Sequence, residues 1–400
     1  MARLESLKLP GDVRGLVATD PAGPVFVACY NGSRKTVLLA VDLSGTVRWR
    51  REFDGRPGLP RAGADGTVWI ATGSTLHQIG TNGSVLRSVT PDHEDGEHLG
   101  AFVLAPDGFY AAWVPTVPGV ARLARYGDVT WSAPLPLGAL SYRGVVEMRA
   151  DNGWRARPMR SWTPRRIKLD FRQPLVVAGD RALVDVLDAD GGIGVCTILD
   201  TATGEVVATT EPAPHGFKAV AGPGRFLVGR QGYGAFSTTL HDRDGLALQQ
   251  WQSHTMPLVD RHGTIRGPES ENMLPSESMF RILDQDGSLR DGPPLEEYYT
   301  TYPALDADGT AVFWRDDKLQ AVDADLRMRV LLALPGRQDR RLIVTSRVLL
   351  LDHGVIAFAL DHELLIVRDT GLAALDTGPW PCGDGNVHGN PVVAQAPRTS

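Results

Sequence analysis

The sequence predicts an all-β protein, an eight-bladed β-propeller with four-stranded antiparallel blades. Three observations predict it: a glycine-containing turn that recurs at a nearly constant interval, a second turn within each interval, and short alternating segments beside both turns. The composition agrees, because 44 glycines and 28 prolines in 400 residues indicate many tight turns, and 42% hydrophobic residues supply a core.

The first turn precedes a β-rich run eight times. Its glycines are 43, 42, 71, 45, 39, 46 and 45 residues apart, so the interval is that of propeller blades, about 40–45 residues, with one long exception. The glycines are Gly23, Gly66, Gly108, Gly179, Gly224, Gly263, Gly309 and Gly354. They predict eight blades; seven is the alternative if the segment around Gly263 is not a blade.

A second turn follows each first turn. The segments are "DLSGTVRW", "GTNGSVL", "RYGDVTW", "TATGEVV", "DRDGLAL", "DQDGSLR", "DADLRMR" and "RDTGLAA". Two turns per repeat make a four-stranded unit that buries its faces only against its neighbours, and a closed ring leaves only short edges. Paired β-sandwiches are the alternative, but they do not repeat one turn at a fixed spacing. The N-terminal "RLESLKL" is expected to add a strand to the last blade.

The chain organisation follows from the period. We expect one propeller domain over residues 1–391, an insertion at about 135–170 within the long interval, and a flexible tail over 392–400. The N-terminus has no apolar signal region and no stretch reaches about 18 apolar residues, which indicates a cytoplasmic protein without a membrane segment. Cys29, Cys196 and Cys382 lie far apart, as expected for buried thiols in a reducing compartment.

Several segments resemble the PQQ-like (quinoprotein-like, BamB-type) β-propeller repeat family. "LLAVDLSGTVRWRREF" has its pattern of apolar strand, Asp, turn glycine and strand ending in Trp, with poorer copies in "ARYGDVTWSAP" and "HDRDGLALQQWQ". "GPWPCGDGNVHGNP" (378–391) is similar to a Pro-Trp-Pro segment that borders such propellers. The WD40 pattern fits less well, because no blade ends in Trp-Asp. The resemblance implies the fold and a bacterial protein, but not one function.

The same resemblance bears on cofactors. The quinone-dependent dehydrogenases of the family imply an adjacent cysteine pair, which this sequence lacks, so we expect no quinone and no other cofactor. No metal site is expected either. "DHEDGEH" lacks the helical spacing of a zinc motif, and the Asp-Gly turns lack the glutamate that completes a calcium loop.

The long connections predict a functional face. They all fall at one end of the ring, and insertions concentrated on one face mark the binding face of a repeat protein. The segments are "FDGRPGLPR" (53–61), "TPDHEDGEHLG" (90–100), "GPESENMLPSES" (267–278), "DGPPLEEYYTTYP" (291–303) and the insertion at about 135–170.

The insertion is basic within an acidic protein of net charge −6. Arginine and tryptophan together are typical of interface hot spots, so the segment predicts an acidic protein or peptide partner. The candidate binding residues are Arg143, Arg149, Trp154, Arg155, Arg157, Arg160, Trp162, Arg165 and Arg166. A solvated loop whose arginines pair with rim acids is the alternative. The overall negative charge argues against nucleic acid.

Two functions remain open. We favour a non-catalytic propeller that binds a protein or peptide through its long-loop face. The alternative is an enzyme acting on a small molecule or modified peptide at the mouth of the central channel by acid–base chemistry. Its candidate catalytic residues are His215, His254 and His362, because a propeller enzyme assembles its site from single residues of different blades. No linear hydrolase or nucleotide-binding motif occurs.

Overall fold

The computed structural model contains the eight predicted blades. It describes residues 3–32, 34–63, 65–116, 119–135, 145–148, 154–157, 166–170, 173–188, 193–231, 236–269, 278–297, 299–336, 346–360 and 362–393, with the backbone only for 145–148 and 154–157. The blades are antiparallel sheets of four strands arranged in a ring, which confirms the eight-bladed propeller.

Each blade uses four strands, numbered here in chain order from the inner strand outwards. Strand β1 (Arg3–Lys8) belongs to blade 8. Blades 1 to 3 consist of β2 (Asp12–Ala18), β3 (Val25–Asn31), β4 (Lys35–Val41) and β5 (Val47–Asp54); β6 (Arg61–Ala62), β7 (Val68–Thr72), β8 (Thr75–Ile79) and β9 (Val85–Val89); and β10 (Glu97–Ala105), β11 (Gly108–Pro115), β12 (Ala121–Gly127) and β13 (Trp131–Leu135).

Blade 4 follows the insertion and carries extra strands. The insertion contains the hairpin of β14 (Val145–Met148) and β15 (Trp154–Arg157), and β16 (Ile167–Leu169) pairs with the second strand of the blade. The blade itself consists of β17 (Leu175–Ala178), β18 (Arg181–Asp188), β19 (Gly194–Asp200) and β20 (Val206–Thr209).

Blades 5 to 8 complete the ring. Their strands are β21 (His215–Gly222), β22 (Arg225–Arg230), β23 (Ser237–His241) and β24 (Ala247–Trp251); β25 (Leu258–Val259), β26 (Ile265–Pro268), β27 (Met279–Leu283) and β28 (Leu289–Pro294); β29 (Ala304–Leu305), β30 (Ala311–Arg315), β31 (Lys318–Val322) and β32 (Met328–Ala333); and β33 (Leu349–Leu350), β34 (Ile356–Leu360) and β35 (Glu363–Arg368).

The two chain ends close the ring in different ways. Strand β1 pairs antiparallel with β35, from Arg3 opposite Arg368 to Lys8 opposite Glu363, so the N-terminus supplies the outer strand of blade 8 as expected. The eighth predicted second turn, "RDTGLAA", is therefore wrong as a strand connection, because the chain leaves blade 8 there. The last strand, β36 (Val392–Val393), pairs parallel with β17 of blade 4. Strand pairing therefore continues two residues past residue 391, the predicted end of the propeller domain.

The Asp-Gly turns have a local physical cause. In the turn before β30, the Asp306 carboxylate accepts the backbone N–H groups of Asp308 (3.0 Å) and Thr310 (2.7 Å). Gly309 follows at φ 83°, a conformation that glycine adopts without strain. The turn is thus encoded by adjacent residues, which is why its repeat is visible in the sequence.

The core lies between neighbouring blades. Along β3, Val25 and Val27 pack in the cluster shared with blade 8, whereas Phe26 and Ala28 pack in the cluster shared with blade 2. Inner and middle strands are therefore apolar on both faces, and outer strands such as β5 are largely exposed. No helix in the described part of the chain is long and apolar enough to cross a membrane.

The antiparallel order fixes two faces of the ring. The turns between the first and second strands and between the third and fourth strands lie at one end, which we call the short-turn face. The second-to-third connections and the connections between blades lie at the other end, which we call the long-loop face. The described ends of the long connections predicted from the sequence lie at the long-loop face.

Candidate functional site

The central channel is closed at the short-turn face by residues 370–393, here called the C-terminal segment. Its backbone meets the inner strands at their last residues, which lie beside the short turns. Backbone N–H groups of Ala18, Ala62, Val177, Val259 and Leu305 donate to the carbonyls of Val387, His388, Pro391, Trp380 and Pro381 respectively, at 2.8–3.0 Å.

Side chains of the C-terminal segment strengthen this closure. The Asn390 side-chain amide donates to the Leu104 carbonyl, and its oxygen accepts the Leu104 N–H, both at 2.9 Å. These two hydrogen bonds attach the C-terminal segment to the inner strand of blade 3. Trp380 is fully buried and packs with residues of blades 4, 5 and 6. The segment therefore joins blades that are distant along the chain.

On the other side of the C-terminal segment, a blind cavity of about 550 Å³ opens on the long-loop face. This volume lies within the range of small-molecule sites, about 300–1,000 Å³. Its apolar wall contains Leu16, Leu59, Pro60, Leu99 and Phe102, and its charged residues are Arg14, Arg56, Arg61, Asp170, Arg347 and Asp384. We call this space the channel cavity.

Arg61 lies at the floor of the channel cavity and is 3% exposed. Its Nη1 donates to the Gly389 carbonyl of the C-terminal segment, and its Nε donates to the Phe102 carbonyl at 3.3 Å. Burial lowers the pKa of Arg61 to about 10, helped by the charge of Arg347 and opposed by that of Asp384. The guanidinium is thus held in a desolvated position beside a second cation.

That second cation, Arg347, is 4% exposed. Its Nη2 donates to the Asn386 carbonyl at 2.6 Å and lies 3.0 Å from the Asp384 carboxylate. Its Nε and Nη1 are buried without a hydrogen-bond partner among the described residues. Burial raises the pKa of Asp384 above its usual value, against the charges of Arg347 and Arg61. The floor therefore combines two arginines with one aspartate.

A buried ion network extends from the cavity wall into blade 5. Lys218 is fully buried, and its ammonium contacts the carboxylates of Asp170 and Asp185. Asp185 also accepts a hydrogen bond from His215 Nδ1 at 2.8 Å. Lys218 is shared between the two carboxylates and neutralises only one of them. The excess positive charge of the channel cavity therefore comes from its four arginines, which outnumber its two aspartates.

The ligand atoms of Asp185, Cys196 and His215 lie within 4.8 Å of one another, close enough for them to bind one metal ion. Three features oppose the assignment. The Lys218 ammonium already contacts the same carboxylate. Burial, with the charge of Asp185, raises the pKa of the Cys196 thiol well above its usual value. Cys196 Sγ and Asp185 both approach the same nitrogen, His215 Nδ1. We interpret the group as part of the structural ion network.

The other two candidate histidines lie elsewhere. His254 is buried, with its ring stacked on Phe217 at 5.4 Å between centroids, and it fills the space beside Gly216. His362 is exposed on the turn between β34 and β35, with Nδ1 3.6 Å from Asp12. The structure brings His254, in the connection after blade 5, next to the start of β21, where His215 lies, but separates His362 from both. None of the three lies in the described wall of the channel cavity.

The predicted binding residues of the insertion fall mostly outside the described residues. This applies to Arg143, Arg149, Arg160, Trp162 and Arg165, and only the backbone is described for Trp154, Arg155 and Arg157. Arg166 is exposed where the insertion ends. The described ends of the insertion show its path: it leaves the outer strand of blade 3 at Leu135 and returns to the wall of the channel cavity at Asp170.

The sequence reasoning missed Arg61, Arg347 and Asp384. One signal was available: the chain continues well past its eighth repeat, and "GPWPCGDGNVHGNP" is too rich in glycine and proline for another blade. A chain end of that length can cross the channel. Nothing in the linear sequence shows that two arginines of different blades meet it there.

No family model and no curated protein matches this chain. Solved structures do. BamB from Moraxella catarrhalis aligns with a TM-score of 0.50 at 12% identity over 92% of this chain and 98% of its own. The Neurospora crassa Pan2 WD40 domain (TM-score 0.42, 12% identity, 75% and 85% coverage) and dihydro-heme d1 dehydrogenase NirN (0.47, 13%, 80% and 65%) align less closely. The resemblance to PQQ-like propellers is confirmed at the level of the fold.

Proposed function

We propose that this propeller is a non-catalytic interaction scaffold that receives a protein or peptide partner with an acidic surface on its long-loop face. The main support for this proposal is the positive charge of the channel cavity. Four arginines and two aspartates line it, in a chain of net charge −6. A cationic concave site on an acidic protein favours an anionic partner.

The insertion also supports partner binding at the long-loop face. It returns to the wall of the channel cavity at Asp170, and it contains the arginines and tryptophans predicted to contact a partner. Arginine binds carboxylates through a planar fork, and tryptophan supplies apolar area, so the two together suit an acidic peptide with apolar side chains.

Selection from a random peptide library displayed on phage tests this proposal. We expect enrichment of Asp and Glu, and affinities of the selected peptides that fall as salt is raised. The Arg155→Ala/Arg157→Ala/Trp162→Ala variant should lose most of this binding with an unchanged melting temperature. The matched control, Arg225→Ala/Arg327→Ala, removes two exposed arginines of the short-turn face and should bind normally. Equal binding to all three proteins would contradict the proposal.

A second function, acid–base catalysis in the channel cavity, is favoured by Asp384. A buried carboxyl with a raised pKa in a concave site is typical of a general acid. On this alternative, Asp384→Asn should lower turnover by about 10²–10⁴-fold. Initial rates over a panel of fluorogenic esters, glycosides and peptides measure this, with the exposed Asp325→Asn as control. A wild-type protein that turns over no member of the panel would argue against catalysis.

A further inference from the structure

We propose that the floor of the channel cavity is a carboxylate subsite, in which Arg347 and Arg61 hold the carboxylate of a ligand whose apolar body lies along the cavity wall. This inference rests on the proposed function, because it names the chemical group by which a partner would enter the cavity. It also makes a separate claim, since a free carboxylate would occupy the same subsite.

The two guanidinium groups converge on one residue of the C-terminal segment. Arg61 Nη1 donates to the Gly389 carbonyl, and a Cβ atom added to Gly389 would lie 2.9 Å from Arg347 Nη1. Gly389 has φ 62°, so both its conformation and its lack of a side chain leave the approach to Arg347 open. Arginines from the inner edges of blades 2 and 8 thus meet at the cavity floor.

Arg347 keeps donors for a ligand. Two of its nitrogens, Nε and Nη1, have no hydrogen-bond partner in the described part of the chain, although Arg347 is only 4% exposed. Buried donors without partners are rare in folded proteins because each costs free energy. A ligand carboxylate that accepts from Nη1, the nitrogen that faces Gly389, would satisfy one of these orphaned donors with a charge-assisted hydrogen bond.

The charges at the floor do not balance without an anion. Arg61 and Arg347 carry two positive charges, and Asp384 supplies at most one negative charge. The Cys382 thiol beside Arg347 adds none, because burial raises its pKa to about 12 despite the arginine, and a neutral thiol is only a weak acceptor. One buried positive charge remains uncompensated, and a bound anion would neutralise it.

The wall selects among anions. Leu16, Leu59, Pro60, Leu99 and Phe102 surround the approach to the floor, so an anion with an attached apolar group buries more surface here than a bare inorganic ion. Carboxylates with an apolar body fit this arrangement better than phosphate. The source is a free carboxylic acid, a peptide C-terminus or an acidic side chain.

Isothermal titration calorimetry with defined probes tests the subsite. The probes are hexanoate, Ac-Ala-Leu with a free carboxylate, the same dipeptide as its amide, Ac-Glu-Leu amide, and inorganic phosphate. We expect at least one carboxylate probe to bind, and the dipeptide amide and phosphate to bind at least about tenfold more weakly than that probe. The best carboxylate probe identifies the source. Equal binding of the acid and its amide, tighter binding of phosphate, or no binding of any carboxylate would overturn the proposal.

Variants locate the binding. Arg347→Gln and Arg61→Gln should each weaken the best carboxylate probe by about 10- to 100-fold, because each removes charged hydrogen bonds. The control Arg225→Gln changes an exposed arginine of the short-turn face, outside the channel cavity, and should alter affinity by less than about threefold. Unchanged affinity in both floor variants would overturn the proposal. If neither floor variant folds, the comparison of acid, amide and phosphate on the wild-type protein decides.

The two proposals fail separately. If acidic peptides are selected but no carboxylate probe binds, the subsite is wrong and the scaffold function stands on the insertion. If a carboxylate probe binds through Arg347 but no acidic peptide is selected, the subsite stands and the scaffold function is wrong.

Discussion

Replacement of Trp380 by alanine is expected to destabilise the propeller by about 3–5 kcal/mol, the usual cost of truncating a buried aromatic side chain. Trp380 is 0% exposed and packs between blades 4, 5 and 6, while its backbone pairs with Val259. A typical domain is stable by only about 5–15 kcal/mol, so one residue outside the blades would account for a large part of the total. Urea denaturation followed by circular dichroism measures the change.

Trp380→Phe is the matched control. It keeps most of the ring volume and removes the indole N–H, which is buried without a hydrogen-bond partner among the described residues. The lost apolar area and the removed unpaired donor oppose each other, so we expect a much smaller change than for alanine. If the alanine variant is as stable as the wild type, the C-terminal segment does not hold the ring together.

The blades could be predicted because their signals are local. Gly309 and Asp306 make their turn with residues four positions away at most. The carboxylates of Asp42, Asp242 and Asp260 accept the backbone N–H groups two and four residues on in the same way. The strand added by residues 3–8 was also predictable, because a ring of eight sheets needs one closing strand and the N-terminus has the alternating pattern. Residues 368–374 were misread as a further blade turn for the same reason, since they carry a local turn signal without a fourth strand after it.

The channel cavity could not be predicted in this way. Its floor joins Arg61, Arg347, Asp384 and Gly389, and Arg61 lies more than 280 residues from the others. Their proximity depends on the closed ring and on the path of the C-terminal segment across it. Nothing in the linear sequence distinguishes Arg61 and Arg347 from surface arginines. The arginine- and tryptophan-rich composition of the insertion predicted a binding site there instead. That binding role stays a prediction.

The second large effect is expected at Lys218. Lys218→Met should destabilise the protein by about 3–5 kcal/mol, because it leaves the buried carboxylates of Asp170 and Asp185 without their cation. The control is Lys35→Met, which breaks an exposed pair with Glu52 and should cost less than about 1 kcal/mol. Denaturation of both variants at pH 8 makes the comparison. Equal stability of the two variants would show that the buried network contributes little.

The pH dependence of the Lys218→Met effect identifies its cause. Burial raises the pKa of Asp185, but the charges of Lys218 and His215 outweigh burial and hold that pKa well below its usual range. A carboxyl with a lowered folded pKa stabilises the protein above its unfolded pKa, about 3.9, and this contribution is lost as the pH falls towards the folded value.

In Lys218→Met, the lysine charge no longer offsets the burial of Asp185, so the pKa of Asp185 rises above the unfolded value and its charged form opposes folding as the pH increases. The stability difference between wild type and Lys218→Met should therefore be larger at pH 8 than at pH 5. Lys218→Met/Asp170→Asn/Asp185→Asn, which removes all three charges, should recover stability at pH 8 and lose most of the pH dependence. A deficit of Lys218→Met that is the same at both pH values would instead assign the loss to the packing of the lysine stem.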